Sequence, residues 1–402
     1  MSKKITRREF LWNTSLAAVA TGLNLGRDQA PVGDARALVV RVHDHHASSA
    51  WDFMQSAPWD HTVEPRSPEE MGSERFRKDR YYDYINEQAV DGMFRRGLRE
   101  LTGAFSVPDA WRRLLHGYEP GHKITLKVNF NNASYHDQVT TNRLDQNAPL
   151  INSILSTLVE DVSAPEESIT VADPSRLIRH DLIRRRCRFA GIRWIDSRSP
   201  DLWDARERVQ FTRDKPVRPA KPGFPETASF SLAKVYTGTD HLINVCLLKN
   251  HGCGITGAMK NHFGAIEPPS PKFLHDGLGE KSYIADLSST PHIKNKLRLN
   301  VCDAVFANWH DNVWSPRPWK TFPGGTPNSL FLGIDPVAFD SVLLQHIRDE
   351  VIAQGVLAPA SVWVREAIDK HQFLHYAMEF HGLGIHEHSP FKKIRYREIE
   401  HA

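Results

Sequence analysis

Short apolar, β-branched runs that end abruptly in polar or charged residues alternate with amphipathic stretches, and this alternation constrains the fold most. Such runs read as strands, and strands alternating with helical patterns build a largely parallel sheet. Predicted strands are Leu38–Val42, Ile124–Val128, Ile169–Ala172, Ile192–Ile195, Leu242–Leu248, Leu297–Val301 and Leu330–Ile334. Predicted helices are Tyr82–Leu101, Pro108–Leu115, Pro149–Val162, Leu177–Ala190, Val337–Val351 and Ser361–Lys370. Asn147 is a suitable N-cap, and Pro149 suits a first helical turn. Long stretches rich in proline and charge, Pro58–Glu74 and Pro200–Ala228, interrupt the pattern, as does the tryptophan-bearing Trp309–Pro327. The expected class is α/β: a mostly parallel central sheet with flanking helices and long irregular loops.

The first 30 residues are set apart. Thr6-Arg7-Arg8-Glu9-Phe10-Leu11 precedes a weakly apolar stretch, Trp12 to Leu25, too short to span a bilayer. Paired arginines in that setting mark a twin-arginine export signal. The expectation is a signal over residues 1–30 and one α/β domain over 31–402, periplasmic or otherwise extracytoplasmic after export. The twin-arginine translocation machinery is then a partner. That route carries folded cargo and suits chains that first acquire a metal or cofactor.

A formal net charge of +3 leaves no polyanion footprint, and the basic run Arg184–Arg188 reads as a solvated helix face, so nucleic-acid binding is excluded. The four cysteines contain no C-x-x-C, so the usual zinc and iron–sulfur spacings are absent. Cys246 and Cys253 could pair in an oxidising compartment, or Cys246 could stay a buried thiol.

The polar residues that close the apolar runs are the candidate site. Lys127 and Asn129 follow one strand, Asp173 another, Lys249 and His251 a third; Asp303 and Asp335 follow two more. In open α/β sheets, ligands bind beyond the strand carboxyl ends. Any one of these residues can be an ordinary strand exit or helix cap, Asp335 above all. As a set they are expected to converge on one rim. Gly252-Cys253-Gly254-Ile255-Thr256-Gly257 spells G-x-G-x-x-G after a strand. Prolines at 268, 269 and 271 and the lack of a following acidic strand argue against a dinucleotide site. The segment Ile255–Phe263 reads as helical, with Thr256 and Lys260 on one face. Backbone N–H groups at Gly254–Thr256, with Lys249, Lys260 and Asn261, then suit a small anion.

His43-Asp44-His45-His46 offers a second constellation, with His43, His45 and His46 as candidate metal ligands needing donors such as His251, His262 or Asp303.

The stretches "TLKVNFN", "LLKNHGCGITGAMKNHFGAI", "LNVCDAV" and "LGIDPVAFDSV" resemble the domain-of-unknown-function family 362, in order from about Lys123 to Ile347. A C-terminal extension, 348–402, follows. The family pattern falls on Lys249, Thr256, Gly257, Lys260, Asn261 and Gly264, and its Asp-Pro-Val-Ala-x-Asp element on Asp335 to Asp340. Many members carry ferredoxin-type cysteine clusters, which implies redox surroundings and a redox partner protein; this chain has no such motif of its own.

The leading expectation is an exported enzyme, dependent on a metal or redox cofactor, that acts on a small anionic substrate. Lys249 and Lys260 would neutralise charge, His251 would serve as base or ligand, and Asp303 would orient or ligate. Asp303 among cations should stay ionised and not act as a general acid. Lys127, Asn129, Gly254, Thr256, Asn261 and Asp335 would line the ligand. The alternatives are a non-catalytic metal- or anion-binding protein and a structural partner in a redox complex.

Overall fold

The computed structural model describes residues 37–49, 81–130, 144–178, 186–197, 206–216, 229–251, 254–267, 283–310, 316–355 and 372–401. The expected twin-arginine segment, Cys253 and the expected Ser361–Lys370 helix lie outside the described residues, as does most of Leu177–Ala190.

Among the described residues, ten strands form one sheet. They are β1 (Leu38–His43), β2 (Ile124–Lys127), β3 (Ile169–Asp173), β4 (Arg193–Asp196), β5 (Arg206–Arg208), β6 (His241–His251), β7 (Gly254–Ile255), β8 (Leu297–Asn308), β9 (Ser329–Gly333) and β10 (Arg395–Glu400). The spatial order is β10-β1-β9-β8-β6-β2-β3-β4-β5, with β7 paired to β6. Along that path every neighbouring pair is parallel except the two made by β9. The fold is therefore α/β with a mixed, mostly parallel sheet, as the alternation implied.

Successive strand residues point to opposite faces, and β6 shows the result. Ile243, Val245 and Leu247 join one buried cluster; Leu242, Cys246 and Leu248 join the other. Helices α1 (Glu87–Thr102), α2 (Val107–Leu114) and α3 (Ala148–Ser156) supply the first cluster. Asn86 caps α1 by accepting from Gln88 and Ala89 N–H, and Gly103 closes it in the left-handed conformation at φ 65°. On the other face lie α4 (Lys234–Thr237), α5 (Ala258–Asn261), α6 (Tyr283–Ser288), α7 (Pro291–Lys294), α8 (Pro336–Gln354) and α9 (Gln372–Glu379). Trp309, Trp319 and Phe322 are buried in that second cluster, so the described part of the tryptophan-bearing stretch is packed.

Strand β10 carries Arg395, Arg397, Glu398 and Glu400, and no strand was expected there. Charged residues are poor strand formers, but they suit a sheet edge, where they discourage pairing with another chain.

Candidate functional site

From β2 the chain adds β3, β4 and β5 on one flank, then returns to lay β6 against the other. The β2/β6 boundary is thus a topological switch point, the place where open α/β sheets form a ligand crevice at the strand carboxyl ends. Lys127 ends β2 opposite Asn244, and Asp173 ends β3.

Lys127 Nζ lies 3.4 Å from Asp173 Oδ1, with both side chains almost wholly buried. The ammonium also donates to the Val128 carbonyl and, at 3.5 Å, to Asn261 Oδ1. Burial holds the Lys127 pKa below its ordinary value, and the Asp173 charge opposes that shift. Asp173 is fixed by the Phe130 N–H at 2.8 Å and by Ser175, whose N–H and Oγ donate at 3.2 and 3.0 Å. Gly264 packs against this pair; a Cβ there would press on Lys127 Cε and Nζ and on Ser175 Oγ.

A chain of carboxamides continues from the lysine. Asn129 Nδ2 donates to Asn261 Oδ1 at 3.0 Å, and Asn261 Nδ2 donates to Asn244 Oδ1 at 2.8 Å and to the Val245 carbonyl at 3.0 Å. Asn244 Nδ2 donates to the Ala258 carbonyl at 2.8 Å and to Asn300 Oδ1 at 3.0 Å. All four asparagines are buried, so each bond also meets a desolvation demand. Beside them, His262 Nδ1 is 3.2 Å from the Tyr236 hydroxyl, while its Nε2 is buried without a partner among the described residues. Burial, reinforced by the Lys127 charge, brings the His262 pKa down to about 3.

The glycine loop behaves differently from expectation. Strand β6 runs to His251, and β7 folds back along it, pairing Asn250 with Ile255 and His251 with Gly254. The Thr256 N–H donates to the Lys249 carbonyl at 2.8 Å, closing a hairpin. The helix begins only at Ala258, so Thr256 and Lys260 do not share a helix face. Its first amides are not available to a ligand either: Ala258 and Met259 N–H donate to the Asp340 carboxylate at 2.6 and 3.0 Å. Gly257 makes this possible, because a Cβ there would collide with Asp340 Oδ1. Burial pushes the Asp340 pKa up to about 7. Thr256 Oγ1 is buried and has no partner among the described residues. Lys249 and Lys260 are both buried, Lys260 Nζ lying 5.8 Å from the Phe263 ring centroid. The His251 side chain lies outside the described residues.

Asp303 is not at a strand end, since β8 continues to Asn308. It shares a face with Val301 and Val305 of the first cluster, whereas Asn244, Asn261 and Lys260 lie with the second. The expected single rim is therefore two sites on opposite faces. Asp303 Oδ2 accepts from Gln146 Nε2 at 2.9 Å and from Asn147 N and Nδ2 at 3.1 and 2.6 Å; Val305 N–H reaches Oδ1 at 3.3 Å. Burial raises its pKa to about 6, against the pull of these bonds. Among the described residues its hydrogen-bond partners are amides, not the cations expected to keep it ionised. Asn129 joins the two faces: its carbonyl accepts from Gln146 N–H at 3.1 Å while its side chain reaches Asn261.

Asp335 leaves the set. Because β9 runs against its neighbours, its carboxyl end lies at the opposite sheet edge. Asp335 caps α8, accepting from Val337 and Ala338 N–H at 2.9 Å each, and also takes the Ile385 N–H at 2.9 Å.

His43, His45 and His46 sit on the far side of β9 and β8 from the crevice. His43 Nδ1 faces the Pro327 and Asn328 carbonyls at 3.1 Å, and its Nε2 is 3.9 Å from Glu400. His45 Nδ1 is 3.8 Å from the same carboxylate, and the His46 ring lies against His45. Among the described residues no group of three His, Cys, Asp or Glu side chains is placed to hold a metal. Cys246 is a free buried thiol in register with Cys302.

Tyr236, Asn244 and Asn300 were not anticipated. The signal was present: Asn-Val-Cys occurs at 244–246 and again at 300–302, and the two triplets lie side by side in register.

No curated protein matches the chain. The family model described as Domain of unknown function (DUF362) matches residues 124–345, a span that holds the crevice, the glycine loop and the Asp335–Asp340 element. This match covers more than half of the sequence, and the chain belongs to that family.

Proposed function

We propose that the β2/β6 crevice binds a small anionic substrate and that the protein is an enzyme moving protons there. The carrying observation is a pair of polar atoms, Thr256 Oγ1 and His262 Nε2, buried without a partner among the described residues and flanking Lys260 on one short segment. Buried polar atoms without partners are rare, and a ligand is one way to satisfy them. Lys249 and Lys260 supply charge on the same hairpin and helix. Lys127, paired with Asp173 and held at a lowered pKa, is the proton-handling group; neutral His262 accepts or donates through Nε2 according to its tautomer.

The donors in the crevice are ammonium, carboxamide and hydroxyl groups, a set suited to an anion more than to a metal. At the His43–His46 segment no group of three His, Cys, Asp or Glu side chains is placed to hold a metal among the described residues. A non-catalytic anion-binding protein is the second reading, favoured by the extent to which Asp173, Val128 and Asn261 already engage Lys127.

The proposal includes export through the twin-arginine route into an extracytoplasmic compartment, carried by Arg7 and Arg8. Native mass spectrometry of the exported full chain tests the site. A bound small anion should be seen, and Lys260→Met should lose it while keeping the folded charge-state envelope. Retention of the anion by that variant rejects the crevice. Arg7→Lys with Arg8→Lys should strand the protein inside the cell.

A further inference from the structure

A second cleft opens on the same sheet face, upstream of Lys127. Its volume is about 320 Å³, and its lining includes Thr125, Thr170, Arg193, Glu207, Arg208 and Lys234. Register explains the floor. Thr125, Thr170 and Arg193 are partners across β2, β3 and β4, so they form one row on one face. Ile195 and Glu207 belong to the next row, which continues through Ala172 to Lys127. The short helix α4 and its turn through Gly238 and Thr239 build one wall, adding Val235, and Lys123 stands at the mouth.

The charge in this cleft is unbalanced. Glu207 is the acidic lining residue, and Arg193 occupies it through two bonds, Nε to Oε1 at 2.7 Å and Nη2 to Oε2 at 2.8 Å. Among the described residues, Lys123, Arg208 and Lys234 form no ion pair; Lys234 Nζ reaches only the neutral Gln210 Oε1, at 3.3 Å. All three are exposed. Three uncompensated cations around one concavity concentrate positive potential in it, and a concave wall focuses that field. Ile195, Val209 and Val235 give the same cavity an apolar patch, and the volume falls in the range of small-molecule sites.

We propose that this cleft is a second ligand site, specific for a compact multivalent anion of the phosphoester or pyrophosphate type. Lys123, Arg208 and Lys234 contact the charged head, and the Ile195–Val209–Val235 patch takes the remainder. The Arg193–Glu207 pair is the side wall, and the guanidinium neutralises the carboxylate that lines the cleft. The site stands independently of the β2/β6 crevice, because none of the residues it uses belongs to that crevice.

Inorganic pyrophosphate is the probe, titrated into the full chain by calorimetry at low and at physiological ionic strength. Saturable one-to-one binding is expected, weaker at the higher salt, since the contacts are solvent-facing. The double variant Arg208→Gln, Lys234→Gln should weaken it about tenfold or more, the loss of two charge-assisted contacts. Both positions are exposed, so the fold should be untouched, which circular dichroism checks. Lys260→Met should leave pyrophosphate binding unchanged. Absence of saturable binding at millimolar pyrophosphate overturns the proposal, as does binding that survives the double variant. Binding lost in Lys260→Met but kept in the double variant places the anion in the crevice and also overturns it.

Discussion

Asp340 Oδ1 accepts the Ala258 backbone N–H at 2.6 Å, across 82 residues of chain. With Oδ2 on Met259 N–H, one carboxylate from α8 fixes the start of the helix that carries Lys260 and Asn261. Helix starts usually receive such a carboxylate from the local sequence; here a distant helix supplies it, which ties the position of the crevice residues to the packing of α8.

Asp340→Asn should therefore loosen the 258–261 segment. One of the two buried N–H groups loses its acceptor or gains a poor one, a destabilisation of about 1–3 kcal/mol. Denaturant unfolding measures it. Faster hydrogen exchange confined to Ala258 and Met259 separates this effect from a global loss.

The same residue has a pH signature. Its folded-state pKa, about 7, lies above the ordinary 3.8, so the folded chain holds a proton that the unfolded chain has released. That contribution to stability is complete at low pH and disappears as pH rises through about 7; Asp303, at about 6, acts in the same sense. Buried His241 and His262 and half-buried His346 oppose it, with values of about 4, 3 and 3. Their contribution is complete above the ordinary 6.5 and disappears as pH falls towards those values. Removing the Asp340 contribution by Asp340→Asn should make stability rise more steeply with pH between about 4 and 7, by up to about 1.4 kcal/mol per pH unit. Unfolding curves at several pH values would show this; equal slopes in wild type and variant contradict it.

Lys127→Met should leave Asp173 as a buried charge without its counter-ion, at a cost of about 3–5 kcal/mol. Adding Asp173→Asn should recover part of that loss, because a neutral amide replaces the stranded carboxylate. A double-mutant cycle by chemical denaturation gives the coupling, and additive losses would show that the two groups do not act as a pair.

Gly257→Ala places a methyl group against the Asp340 carboxylate. The expected penalty is about 1–3 kcal/mol, as for other overpacked sites. Combined with Asp340→Gly, which removes the obstructing side chain, the alanine should cost much less than it does alone.

Alkylation of the native protein should reach Cys187, which is only partly buried, long before Cys246 or Cys302, both fully buried with raised thiol pKa values. Peptide mapping after a short maleimide pulse reads the order.

Much of the sheet was legible because buried parallel strands are written as local apolar runs. Lys127 and Asp173 could be placed for the same reason: each really does end its strand. Asp303 misled because a charged residue inside a run resembles the end of one. The run resumes as Ala304-Val305-Phe306-Ala307, and that continuation was the overlooked sign. The reversal of β9, which moves Asp335 to the other edge, depends on long-range pairing that no local pattern encodes. The hairpin after β6 was hidden likewise: Ile255–Phe263 has helical composition, yet tertiary pairing to Asn250 and His251 captures its first residues.

The C-terminal segment reaches the start of α8 through one backbone hydrogen bond. Ile385 donates to Asp335, Asp335 begins α8, Asp340 on α8 grips α5, and Asn261 on α5 meets Lys127. These links run without a break from the tail to the crevice, so trimming the chain near residue 380 should disturb the proposed anion site from a distance.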